Sequence, residues 1–90
     1  MELKDIIYID SLNSLDLHGY DRDTARVKTL EFINDNIKMG NEIICIIHGR
    51  GSGAIKEEVH STLKKCKNVL DYKLFYNNIG STIVKLKLTK

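Results

Sequence analysis

The chain has 90 residues, 42% hydrophobic and 29% charged, with a net charge of +2 and no proline. That length holds one domain with a modest core. No apolar run reaches the length of a membrane-spanning helix, and the polar, acidic N-terminus lacks the basic-then-apolar order of a secretion signal, so a cytoplasmic setting without membrane contact is expected. A charge this small also excludes a polybasic tail, so affinity for nucleic acid would depend on where the charges sit.

Residues 1–13 carry the apolar run Ile6 to Ile9 and then turn-prone Asp10, Ser11 and Asn13. They read as an N-terminal extension, an edge strand or a strap, ahead of a domain at residues 14–90. From Ser14 to His18 the pattern alternates, placing Leu15 and Leu17 on one face of a strand and Asp16 and His18 on the other. Gly19 ends it. Asp21 is placed to cap a helix over residues 22–39, with an apolar stripe of Ala25, Leu30, Phe32, Ile33 and Ile37 and a glycine cap at Gly40.

The run Ile43-Ile44-Cys45-Ile46-Ile47 is apolar throughout and predicts a central strand buried on both faces. A second helix is expected over residues 54–65, with Ile55, Val59 and Leu63 inward and Lys64, Lys65 and Lys67 near its C-terminal end. Its His60 reads as a surface residue. Leu70, Tyr72, Leu74 and Tyr76 then alternate, Asn77-Asn78-Ile79-Gly80 turns, and Thr82, Val84, Leu86 and Leu88 alternate again as a hairpin. The order β-α-β-α-β-β predicts an α/β domain, a two-layer α+β sandwich. It has a four-stranded mixed sheet and two helices mainly on one face. The two cysteines, Cys45 and Cys66, fit no disulfide or metal spacing and read as small buried hydrophobes.

Ligands of open α/β sheets gather beyond the carboxyl ends of parallel strands. If the first two strands are neighbours, Asp16, His18 and His48 meet there beside the loop Gly49-Arg50-Gly51-Ser52-Gly53. The alternating glycines directly precede a helix, so free amides and the helix dipole favour an anion, with Arg50 able to grip a phosphate bidentately. The spacing is neither a dinucleotide fingerprint nor a nucleoside-triphosphate loop. Asp16 and His18 suit either general acid–base work or a solvated pair that ties down a loop. His48 is either a ligand or a loop anchor. Lys85 and Lys87 project from the helix-free face, either to track a phosphate backbone or to guard a strand edge against aggregation. One aspartate and scattered histidines do not indicate a metal site, and the need for a divalent cation stays open.

Three motifs in order resemble the Smr (small MutS-related) domain family. These are Leu15-Asp16-Leu17-His18-Gly19, Ile46-Ile47-His48-Gly49-Arg50-Gly51-Ser52-Gly53 and Gly80-Ser81-Thr82-Ile83-Val84. The similarity covers residues 14–88 and suggests a stand-alone member, without the ATPase or clamp regions of MutS. It implies binding of DNA or RNA, often with endonuclease activity, in recombination control and repair or in rescue of ribosomes. It also implies that Asp16 and His18 serve cleavage, and that His48, Gly49 and Gly51 lie in the binding loop. One departure is Asn78-Ile79-Gly80, where many members carry two or three glycines; a differently shaped loop is expected there.

Overall fold

The structure, a computed structural model, describes residues 12–49, 51, 53–75 and 80–88. Arg50, Ser52, most of the N-terminal extension and the turn at residues 76–79 lie outside the described residues. The elements are β1 (Asn13–Asp16), α1 (Arg22–Met39), β2 (Ile43–Ile47), α2 (Ala54–Lys65), β3 (Val69–Phe75) and β4 (Ser81–Leu86). They form one four-stranded sheet in the order β1-β2-β4-β3. β1 runs parallel to β2, and β4 is antiparallel to both its neighbours. β3 therefore shares the direction of β2, but β4 is inserted between them.

The α/β architecture with both helices on one face follows from parity. Ile44 pairs with Val84 and Ile46 with Thr82 in register, so these side chains share a face. Ile44, Ile46, Val84 and Leu86 join Ala25 and Ile33 of α1 and Val59 and Leu63 of α2 in one buried cluster. On the reverse face Cys45 and Ile83 are also buried, so β2 is covered on both sides as its unbroken apolar run requires.

The ends of α1 form where local chemistry puts them. The Asp21 carboxylate accepts the Thr24 N–H at 2.8 Å; the Thr24 side chain, first, and this N–H bond, second, hold its pKa below the ordinary aspartate value. Gly40 closes the helix in the left-handed conformation (φ 79°) that glycine adopts without strain.

The inward face of α1 differs from the expected stripe. Leu30 is 39% exposed, while Thr29 and Asn36 are fully buried beside Ala25 and Ile33. Asn36 takes an inward position because its hydrogen bonds are met there, whereas the buried Thr29 hydroxyl has no hydrogen-bond partner among the described residues. The Asn36 side-chain oxygen accepts from the amides of Asn13 and Asn41, both at 2.8 Å, and its own amide donates to the Phe32 carbonyl at 2.8 Å. Asn36 thus ties the start of β1 and the α1–β2 connection to one helix turn. Asn36→Ala should lower the unfolding free energy by about 2 kcal/mol, because a buried three-bond hub is lost. Urea titration followed by circular dichroism would show this as a lower midpoint with an unchanged slope.

Candidate functional site

The parallel register of β1 with β2 sets Asp16 beside Ile47, and pairing continues one residue further as the Leu17 N–H donates to the Ile47 carbonyl at 2.9 Å. The chain segments that follow, His18-Gly19 and His48-Gly49, therefore leave the sheet side by side. A third segment joins them. The Gly80 carbonyl accepts from the His48 N–H at 3.3 Å and from the Gly49 N–H at 3.1 Å. All three sequence motifs thus meet at one rim of the sheet.

Within that rim the side chains part company. β1 ends at Asp16, so His18 is not a second tooth on the same strand face. The Asp16 carboxylate accepts the His18 backbone N–H at 2.9 Å in a tight turn, and the His18 ring is exposed to solvent. Asp16 shares the face of Cys45 and Ile47, away from the helices. The His48 ring turns the other way, toward the helix layer, and His48 is only 9% exposed. Its Nε2 lies 2.9 Å from the Thr82 hydroxyl and its Nδ1 3.2 Å from the Gly49 carbonyl. With both ring nitrogens engaged internally, the geometry of His48 is that of a loop anchor.

His60, read from sequence as a surface residue, is half-buried, and its Nε2 lies 2.7 Å from the same Thr82 hydroxyl. Its ring meets that of His48 edge-on at 5.9 Å and tilts against Tyr72 at 5.0 Å. Position 60 follows the apolar Val59 on α2, where solvent exposure was the natural expectation. The usable signal was Thr82, a hydroxyl with the same parity as core-facing Val84, which a buried setting obliges to find partners.

The loop after Gly49 leads into α2 through Gly53, which is left-handed (φ 92°) and offers no side chain to cap the helix. The first turn of α2, with the positive end of the helix dipole, thus follows the glycine loop without a side-chain cap from Gly53. Glu57 and Glu58, near that end, face Arg22 of α1 at 3.8 and 3.3 Å, which offsets their charge locally. On the reverse face Lys85 is half-buried opposite Asp71 in register, and Lys87, beyond the end of β4, is exposed. Among the described residues no three His, Cys, Asp or Glu side chains are grouped to hold a metal, and no helix is long and apolar enough to cross a membrane.

A two-layer domain with a parallel β1–β2 pair in a mixed four-stranded sheet and two helices on one face belongs to the α/β class. The chain is a member of the Smr domain family, whose model matches residues 15–87. It is 33% identical over 76 residues to endonuclease MutS2 of Brevibacillus brevis, covering 81% of this chain and 10% of that protein. It is 37% identical over 76 residues to endonuclease MutS2 of a Geobacillus species, with the same coverage. The chain thus spans about a tenth of the length of these relatives. Two crystal structures share the fold. The Smr domain of Thermus thermophilus MutS2 superposes with TM-score 0.79 at 22% identity, over 83% of this chain and 98% of that one. YdaL, a stand-alone small MutS-related protein from Escherichia coli, superposes with TM-score 0.77 at 20% identity, over 92% of this chain and 79% of that one.

The paired histidines give the fold a pH dependence. Burial, the first cause for each, holds both rings below the ordinary histidine value, and the nearby Lys56 ammonium adds to it. In the unfolded chain these rings take up protons near about pH 6.5, where the folded rings do not. Stability should therefore hold above about pH 7 and decline as the pH falls through about 6.5, until the folded rings protonate as well. Urea midpoints measured across this range should decline less steeply for His60→Gln, which removes one of the two titrating groups.

Proposed function

We propose that the rim binds the phosphate backbone of DNA or RNA and that the domain cuts it as an endonuclease. The observation that carries this reading is that the backbone after Asp16, His48-Gly49 and Gly80 meet at one rim of the sheet, where the glycine loop leads into an α2 start with no side-chain cap. A phosphate oxygen there would meet amide donors and the helix dipole, with Arg50 adding a fork of donors. Asp16, exposed at the rim, would take the proton of the attacking water or hydroxyl, and His18 would supply one to the leaving oxygen. The MutS2 relatives carry the name endonuclease, which supports the same reading. The role that follows is cytoplasmic nucleic-acid processing, in repair and recombination control when DNA is the target or in ribosome quality control when RNA is.

A second reading, a module that binds nucleic acid or the ribosome without cutting, is favoured by one detail. The Asp16 carboxylate already accepts the His18 N–H and so holds a turn. Asp16→Asn separates the two, since asparagine keeps an oxygen for that bond but loses the charge. Wild type and variant would be incubated with supercoiled plasmid and with single-stranded RNA across a set of divalent cations. The endonuclease reading expects cutting that drops at least about a hundredfold in the variant. Binding with no cutting by either protein supports the module, and equal residual cutting by both removes Asp16 from the mechanism.

Binding itself should weaken with salt. Arg50→Ala should reduce the slope of log affinity against log salt by about one. The pair Lys85→Ala/Lys87→Ala should change it less, because Lys85 stands opposite Asp71. Fluorescence anisotropy of labelled oligonucleotides across a salt series measures both slopes.

A further inference from the structure

One hydroxyl, that of Thr82, lies within hydrogen-bond reach of two imidazoles, 2.9 Å from His48 Nε2 and 2.7 Å from His60 Nε2. The proton inventory of this cluster has a single solution for neutral rings. A carbonyl oxygen only accepts, so His48 Nδ1, 3.2 Å from the Gly49 carbonyl, must carry a hydrogen. Its Nε2 is then bare and accepts, and the Thr82 hydroxyl is the donor within reach. That hydroxyl has one hydrogen, now committed to His48, so the hydrogen of the third bond must come from His60 Nε2. Every hydrogen in the chain points from α2 toward the loop. Burial of both rings and the neighbouring Lys56 ammonium favour the neutral forms on which this inventory rests.

The bond chain joins Gly49, at the start of the glycine loop, to the second turn of α2, the helix that follows the loop. Gly49, at the start, is left-handed (φ 85°); its carbonyl faces the His48 ring and its N–H donates to Gly80. At the far end the loop enters α2, and α2 is held to the same hydroxyl through His60. Thr82 therefore sets the distance between the peptide where the loop leaves the sheet and the helix whose amides close it.

We propose that His60 and Thr82 are positioning residues of the rim. Through the directed chain His60 Nε2–H to Thr82 Oγ1, Thr82 O–H to His48 Nε2, and His48 Nδ1–H to the Gly49 carbonyl, they hold Gly49, where the chain leaves the sheet for the rim, in a fixed position relative to α2. This rests on the nucleic-acid reading of the rim for its consequence, but the chain itself is observable without any ligand.

Long-range proton–nitrogen correlation spectra of the ¹⁵N-labelled full chain report the tautomer of each ring. His48 should carry its hydrogen on Nδ1 and His60 on Nε2, opposite forms within one protein. Thr82→Val removes the hydroxyl at nearly constant shape. It should abolish the opposed pattern and weaken binding of a labelled oligonucleotide about five- to tenfold, the effect of one hydrogen bond. Thr82→Ser should restore both the pattern and, within about twofold, the affinity. His60→Gln, whose amide can still donate, should bind better than His60→Leu. Identical tautomers in the wild type, or unchanged affinity in a folded Thr82→Val or His60→Leu, would overturn the proposal. A wild type with opposed tautomers that binds neither DNA nor RNA would verify the chain of bonds while sinking the functional reading, and with it the positioning role in binding.

Discussion

The Gly80 carbonyl is the point on which the rim depends. Accepting two consecutive backbone N–H groups, from His48 and Gly49, it ties the end of β2 to the start of β4 at the level where β1 also stops. An acceptor used twice satisfies two donors with one group, which is how a strand end can turn sharply without orphaned amides. Two residues further along β4, the same register brings Thr82 under the helix layer within reach of the His48 ring. Loop geometry, histidine anchoring and the meeting of three distant sequence segments are consequences of one antiparallel register.

The helix layer is attached by two chemically different seams. Aliphatic contacts from Ala25, Ile33, Val59 and Leu63 supply the non-directional part, which tolerates small shifts. The polar contacts, Asn36 at the far end of α1 and Thr82 with its two histidines under α2, allow little tolerance, because each requires a particular alignment of donor and acceptor. Apolar burial gives the sandwich its cohesion, and these polar points fix how each helix sits on the sheet.

Much of this was legible in the sequence where one force dominates. β2 is apolar without interruption, α1 has a capping aspartate and a terminal glycine, and α2 has a clean inward stripe; all three appear at the expected positions. The meeting of the strand ends at Asp16 and His48 was equally legible, since neighbouring parallel strands deliver both to one rim. Pairwise polar chemistry between distant segments was not. Nothing near Asn36 announces that Asn13 and Asn41 will satisfy it, so Leu30 was the natural core residue. Nothing near His60 announces Thr82, 22 positions away. Apolar periodicity records burial averaged along a helix and is silent about a polar group whose partner lies on another element.

The insertion of β4 between β2 and β3 bears on how the chain assembles. Among the described residues β3 has β4 as its sole partner strand, and β2, the most apolar strand, keeps one open edge until β4 docks. Since β4 follows every other element in the order of synthesis, a growing chain can join β1 to β2 but cannot complete the sheet. Until the last strand arrives, an adhesive edge of isoleucines is available to pair with another chain. The gap is closed by the strand that also carries Gly80 and Thr82, so completion of the sheet and organisation of the rim are one event. A partly made domain of this topology has no working half, and its most hazardous moment comes just before it becomes functional.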